Sequence, residues 1–229
     1  MLYIVPTPIG NLEDITLRAV RLLGECDIII SEDSRQTRKL MTLLKIENKP
    51  KFVDFTRNHL FNTKGVEEVF LNLKIAQNKE LKVLLVTDAG TPGISDPGVE
   101  IVRLARSKNI EFTVIPGPTA FVPAIVASGM ASKEFEFKGF LPIKKGRLTA
   151  WKYIIRSQNA LIIYESVHRI KKFIEEVQEL EEEREICICR ELTKAFENIW
   201  VGRVKDIQKY PLVEKGEFVI VIGPKTTKD

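Results

Sequence analysis

The chain has 229 residues, 44% of them hydrophobic and 29% charged, with a formal net charge of +4. This is the composition of a globular protein long enough for two compact domains. No apolar stretch approaches the ~20 residues that span a bilayer, and the opening MLYIVPTPIG is too short and unflanked for a signal peptide, so a cytoplasmic protein without a membrane partner is expected. Three cysteines, Cys26, Cys187 and Cys189, make no disulfide framework, and with two histidines, His59 and His168, no metal site is expected. The modest positive charge permits an anionic partner such as RNA without demanding one.

Leu2 to Val5 reads as a first strand, followed by the turn-rich PTPIGN, Pro6 to Asn11. This is neither a dinucleotide fingerprint nor a phosphate-binding P-loop. Asp14 or Thr16 can cap a helix with the stripe Leu17, Val20 and Leu23, ended by Gly24 at its C′ position. Asp27 to Ile30 is the second strand, running into SEDSRQTRK. There Glu32 and Asp33 sit at a strand end, and Arg35 and Arg38 follow on the next helix, which Ser34 could cap. Acidic residues at that point favour a helix dipole, or they serve as base and orienting carboxylate beside cations that hold an anionic substrate.

Lys51 to Phe55 is a third strand, followed by a polar loop, Thr56 to Asn62, with Arg57, Asn58 and His59, and a helix from about Thr63 to Ala76. Val83 to Gly98, VLLVTDAGTPGISDPG, is the stretch the chain is organised around. A buried strand ends abruptly in Thr87-Asp88, an irregular glycine- and proline-rich loop follows, and then a helix begins. Ligands of open α/β sheets bind at the carboxyl ends of strands, and glycines there let the backbone approach them. Phe112 to Ile115 is a strand, Pro116-Gly117-Pro118 a sharp turn, and Thr119 caps or begins a small-residue helix. The domain boundary is expected here, giving domains 1–116 and 117–229.

The second half is a less regular α/β pattern. Phe135 to Phe140 is strand-like and leads to a short basic loop with Lys144, Lys145 and Arg147. Ala160 to Tyr164 is a strand ending in Glu165-Ser166, and a helix spans about His168 to Leu180. Glu185 to Cys189 is a strand whose two cysteines alternate with Ile186 and Ile188, as buried thiols on one face. After RELTKAFENIW, Gly216 to Ile222 closes the chain as a final strand.

LYIVPTPIGN, SEDSRQT, VTDAGTPGISDPG, VIPGPT, GFLP, YESVHR and RELTK, in this order, closely resemble the ribosomal RNA small subunit methyltransferase I family of the tetrapyrrole methylase superfamily. The resemblance covers nearly the whole chain. It implies a class III methyltransferase fold, two α/β domains with the cofactor S-adenosylmethionine in the cleft between them, and a homodimer. It implies methylation of the ribose 2′-oxygen of a cytidine, position 1402, in bacterial 16S rRNA, free or in the small ribosomal subunit. The cofactor residues carried over by motif are Asp88, Ala89, Gly90 and Thr91 with Ile94 nearby, Thr119 and Ala120, and, in the second domain, Tyr164, Glu165 and Leu192. The superfamily's usual G-D-P triplet is Gly90-Thr91-Pro92 here, with the carboxylate displaced to Asp88, and the H-N-E motif of many members is Arg57-Asn58-His59. Some members extend past the last strand with a small helical domain. This sequence stops at Asp229, so RNA capture is expected from the core or a partner copy.

Sulfonium methyl transfer needs little acid help, because the leaving group departs neutral. A ribose hydroxyl, however, is a poor nucleophile until its proton is leaving. Glu32 and Asp33 are the candidates for base or orienter, and Arg35, Lys144, Lys145 and Arg147 for contacts to RNA phosphates. A tetrapyrrole C-methyltransferase of the same fold and a non-catalytic RNA-binding relative stay open as alternatives.

Overall fold

Five short segments of the first half form one parallel sheet. They are β1 (Leu2–Ile4), β2 (Ile28–Ser31), β3 (Lys51–Asp54), β4 (Val83–Val86) and β5 (Phe112–Val114), in the order β3-β2-β4-β1-β5. The computed structural model describes residues 1–55, 63–130 and 133–225, and the side chains of 63–66 are not described. The expected loop with Arg57, Asn58 and His59 lies outside these residues.

A parallel sheet needs cover on both faces. Along β4 the side chains alternate, so Leu84 and Val86 belong to one core while Val83 and Leu85 belong to the other. The first core is completed by Ala19, Leu22 and Leu23 of α1 (Leu17–Glu25) and Met41 of α2 (Ser34–Leu43). The second takes Leu73 and Ala76 from α3 (Thr63–Asn78) and Ile101 and Ala105 from α4 (Gly98–Ser107).

The chain divides into residues 1–119 and 120–229, whereas the sequence reading placed the boundary after Pro116. Hydrogen bonds explain the extra residues. The Thr91 hydroxyl donates to the Pro118 carbonyl at 2.8 Å and lies 3.0 Å from the Thr119 hydroxyl, tying the turn to the first unit.

The second unit holds β6 (Phe135–Phe140), β7 (Ala160–Glu165), β8 (Glu185–Arg190), β9 (Asn198–Arg203) and β10 (Phe218–Ile222), in the order β6-β7-β10-β8-β9. Among the described residues of this unit only β6 and β7 pair in parallel. Trp151 and Ile154 of α6 (Arg147–Arg156) and Phe173 and Val177 of α7 (Ile170–Val177) pack on Leu161, Ile163, Ile188 and Ile220. The alternate side chains of β8 and β10, Cys187, Cys189, Val219 and Val221, are fully or almost fully buried, and α5 (Phe121–Ser128) packs across β7, β8 and β10. Arg184 is completely buried, and its guanidinium donates to the carbonyls of Gly223, Ile154 and Ser157, gathering three chain segments that end near one another.

Several local expectations are corrected. Thr16 is the N-cap of α1, accepting from the Ala19 amide at 3.1 Å. Leu17 is 90% exposed, so the buried stripe is Ala19, Leu22 and Leu23 instead. Gly24 lies inside the helix, which ends at Cys26. The α2 cap is Asp33, one residue before the expected Ser34. Thr119 does not cap α5, because its hydroxyl is engaged with Thr91 and the Gly117 carbonyl. Helix α6 and strand β9 had no counterpart in the sequence reading.

Candidate active site

The carboxyl ends of β1, β2, β4 and β5 carry the loops that the sequence reading singled out. The loop after β1 is fastened to the loop after β4 by a two-way bridge. The Thr7 amide donates to the Gly90 carbonyl and the Gly90 amide to the Thr7 carbonyl, each at 3.0 Å, while the Thr7 hydroxyl donates to the Thr87 carbonyl at 3.1 Å. Gly90 makes this bridge at φ +80°, a left-handed conformation that side chains disfavour. The loop after β5 closes in from the other side. A Cβ on Gly117 would lie 2.7 Å from Pro6, so only glycine admits this approach. Downstream, the Asp96 carboxylate accepts from the amides of Gly93 and Gly98 at 2.7–3.0 Å and fixes the start of α4. Ala89 is exposed and Thr91 and Ile94 are half-buried along this loop.

β2 and β4 are neighbours in register, Ser31 opposite Val86, so Glu32-Asp33 and Thr87-Asp88 leave the sheet side by side. Asp33 is heavily engaged. Its carboxylate accepts from the Arg35 backbone amide at 2.9 Å, which caps α2, and from the Arg35 guanidinium at 2.7–3.2 Å. The guanidinium beside it is the main reason its pKa is held down to about 2. The Asp88 carboxyl is shifted the opposite way. Partial desolvation raises it first and the Asp33 carboxylate second, against a hydrogen bond from the Asp33 amide and the charge of Arg35. Glu32 is half-buried at the end of β2. Asp54, which the sequence reading passed over, ends β3 and receives the Ser31 hydroxyl at 3.1 Å and the Ser34 amide and hydroxyl at 3.0 Å. It braces the turn that presents Glu32 and Asp33. An acidic residue ending a strand beside SEDS was the available signal.

In the second unit the resemblance singled out Tyr164, Glu165 and Leu192. The Tyr164 hydroxyl accepts from the Phe121 amide at 3.1 Å, at the start of α5, and burial pushes the phenol up to about 12. Its ring meets Phe137 and Phe140 edge-on. Glu165 is buried. One of its oxygens accepts from the Ser166 amide at 2.8 Å and pairs with Arg169 at 2.7 Å, and the other lies 3.7 Å from Arg147. Desolvation outweighs both arginines, so its carboxyl sits above the ordinary range. Leu192 is buried in a loop where Glu191 and Thr193 both adopt positive φ. The Glu191 carboxylate holds that loop by accepting from Lys194 and from the Glu217 amide.

Arg147 corrects the sequence reading. Its side chain is 7% exposed, binds Glu176 at 2.5 Å and donates to the Pro142 carbonyl at 3.1 Å, so it is spent inside the unit and is not available to a phosphate. Arg169 does the same for the adjacent Leu141 carbonyl at 2.8 Å. The buried Arg147 and the half-buried Arg169 therefore grip the base of the loop that leaves Lys144 and Lys145 exposed at its tip. The i, i+4 spacing of Glu165 and Arg169 was the sequence signal for this clamp.

Residues 1–208 match the model of the tetrapyrrole (corrin/porphyrin) methylases. The chain belongs to this family. Proteins named ribosomal RNA small subunit methyltransferase I from Coprothermobacter proteolyticus and Thermotoga maritima are 40% and 37% identical to it, each covering 98% of both chains. The protein of that name from Synechocystis is 39% identical over all of this chain and 81% of its own. Among solved tetrapyrrole methylase-like structures, the methyltransferase CobJ superposes with a TM-score of 0.68 at 18% identity, covering 100% of this chain and 95% of that one. Uroporphyrin-III C-methyl transferase from Thermus thermophilus, complexed with S-adenyl homocysteine, gives 0.65 at 16% identity, with 97% and 96% covered. These structures share the fold, and the family resemblance read from the motifs is borne out.

Proposed function

We propose that the protein is an S-adenosylmethionine-dependent methyltransferase acting on small-subunit ribosomal RNA, at the ribose 2′-oxygen of a cytidine, position 1402 by family. The observation that carries this reading is the likeness, along almost the entire chain, to proteins bearing that name.

The loops of the first unit suit the cofactor. Gly90 at φ +80° sets the course of the loop by a backbone angle that other residues disfavour, and Asp88 supplies a carboxylate for an amine or hydroxyl. Asp88, Ala89, Gly90, Thr91, Ile94, Thr119 and Ala120 would hold it, with Tyr164 and Leu192 contributing from the second unit, while Glu165, fully buried and paired with Arg169, corrects the sequence reading and positions its neighbours instead. When bound, S-adenosylmethionine supplies a methyl group activated on a sulfonium.

The chain's own work is to orient the ribose and take its proton. Glu32 is assigned the proton, because Asp33, with a carboxyl near 2 and an arginine on both oxygens, is a poor base. Asp33 instead fixes Arg35, whose 88% exposed side chain is free at its outer edge to meet a flanking phosphate. Lys144 and Lys145 are assigned to the RNA backbone. By the family resemblance the active species is a homodimer.

Labelled methyl transfer to small subunits lacking the modification, followed by nucleoside mapping, tests the proposal. One 2′-O-methylcytidine per subunit is expected. Transfer to a tetrapyrrole instead, or cofactor binding without any transfer to RNA, would overturn it.

A further inference from the structure

Most cations of the second unit are already neutralised. Lys194 sits on Glu191 and Glu217, Lys209 on Asp206, and Arg203 on Glu183. Apart from Arg147, the cations of the stretch 144–156 are different. Lys144, Lys145, Lys152 and Arg156 are all exposed, and among the described residues none of the four has an ion-pair partner.

Helix α6 aligns two of them. It buries Arg147, Trp151 and Ile154, so the opposite face, with Thr149, Lys152, Tyr153 and Arg156 spaced three and four apart, looks outward. That face lines a groove of about 570 Å³ with Glu136, Ser157 and Asn159. The one carboxylate there is consumed. Glu136 accepts from the Tyr153 hydroxyl at 2.7 Å and from Asn159 at 3.3 Å, and pairs with Lys138 at 2.5 Å. The groove therefore presents the uncompensated positive charge of Lys152 and Arg156. The cations lie about 5–6 Å apart per helical step, the scale on which successive phosphates follow one another, and the helix starts directly after the lysine loop.

We infer that the outward face of α6, through Lys152 and Arg156, is a second contact for the phosphate backbone of the substrate RNA, continuing the track begun by Lys144 and Lys145. This rests on the ribosomal RNA reading above. The contact is electrostatic and adds affinity without reading bases.

The test compares the full-length parent with Lys152→Ala/Arg156→Ala, binding unmodified small ribosomal subunits across a salt series, with S-adenosylmethionine affinity measured alongside. Losing two phosphate contacts should flatten the slope of log affinity against log salt by about 1.4–1.8, with cofactor affinity unchanged. Lys171→Ala/Lys215→Ala, which removes two exposed cations elsewhere in the unit, should leave the slope as it was. An unchanged slope in the α6 variant, or an equal fall in the control, overturns the inference. Lys152→Gln/Arg156→Gln serves if the alanine variant folds poorly. If the parent binds the cofactor but not the subunits, the RNA reading itself fails and takes this surface with it. A failure of the α6 variant alone leaves that reading standing.

Discussion

At the scale of single residues, Gly90 and the pair Glu32-Asp33 carry the sharpest expectations. A Cβ at Gly90 would meet Ile9 at 3.4 Å and the Pro118 carbonyl at 3.7 Å, contacts that are close to ordinary. The obstacle is the backbone angle, and a β-branched residue tolerates it least. Gly90→Ala should therefore cost ~1–2 kcal/mol of stability, whereas Gly90→Val should weaken S-adenosylmethionine at least tenfold in calorimetric titration. Equal affinity for parent and valine variant would remove this loop from the site. Glu32→Gln should lower single-turnover methylation by ~10²–10⁴ with cofactor affinity intact. Asp33→Asn should fall far less, because asparagine caps a helix as well as aspartate does. The reverse ranking would make Asp33 the base despite its arginine.

At the scale of elements, the clamp of Arg147, Glu165, Arg169 and Glu176 decides how the second unit presents its basic loop. Arg147→Ala leaves two acidic groups underpaired, one of them fully buried, and should destabilise by about 3–5 kcal/mol in urea titration. A loss under 1 kcal/mol would show the clamp to be replaceable. Glu165 also sets a pH dependence. Its folded pKa is raised, so the native state holds the proton more tightly than the unfolded chain. Stability from this group grows as pH falls through the folded value and levels off near the ordinary ~4.3. The difference in urea midpoint between parent and Glu165→Gln should shrink over that window, and a difference independent of pH would contradict the shift. Strands β1 to β8 and β10 were legible between turns, most of them as apolar runs, as was the glycine loop. Two elements were not. In β9 the apolar run is only Ile199-Trp200-Val201, set between Asn198 and Gly202 with Ile199 and Val201 exposed, too short to mark a strand by itself. In α6 the leading Arg147 reads as one more surface cation until its partners are known, Glu176 far along the chain and the nearby Pro142 carbonyl. The same ignorance of partners placed Arg147 with the RNA contacts and left Asp54 unnoticed.

At the scale of the molecule, no helix among the described residues is long and apolar enough to cross a membrane. Sedimentation velocity at micromolar concentration should give about twice the mass of one chain, as the family resemblance implies. A single species at 26.1 kDa would refute the homodimer. The sheet order of the first unit has a consequence during synthesis. β1 is made first, yet it lies between β4 and β5, with Leu2 opposite both Val83 and Phe112. Its edges find no strand partner until those distant segments have left the ribosome, and closing such long loops is what makes parallel sheets slow to form. The nascent chain must therefore carry β1 as an unpaired apolar strand until β4 emerges, and β1 becomes the last strand of that sheet to be locked on both sides, when β5 follows.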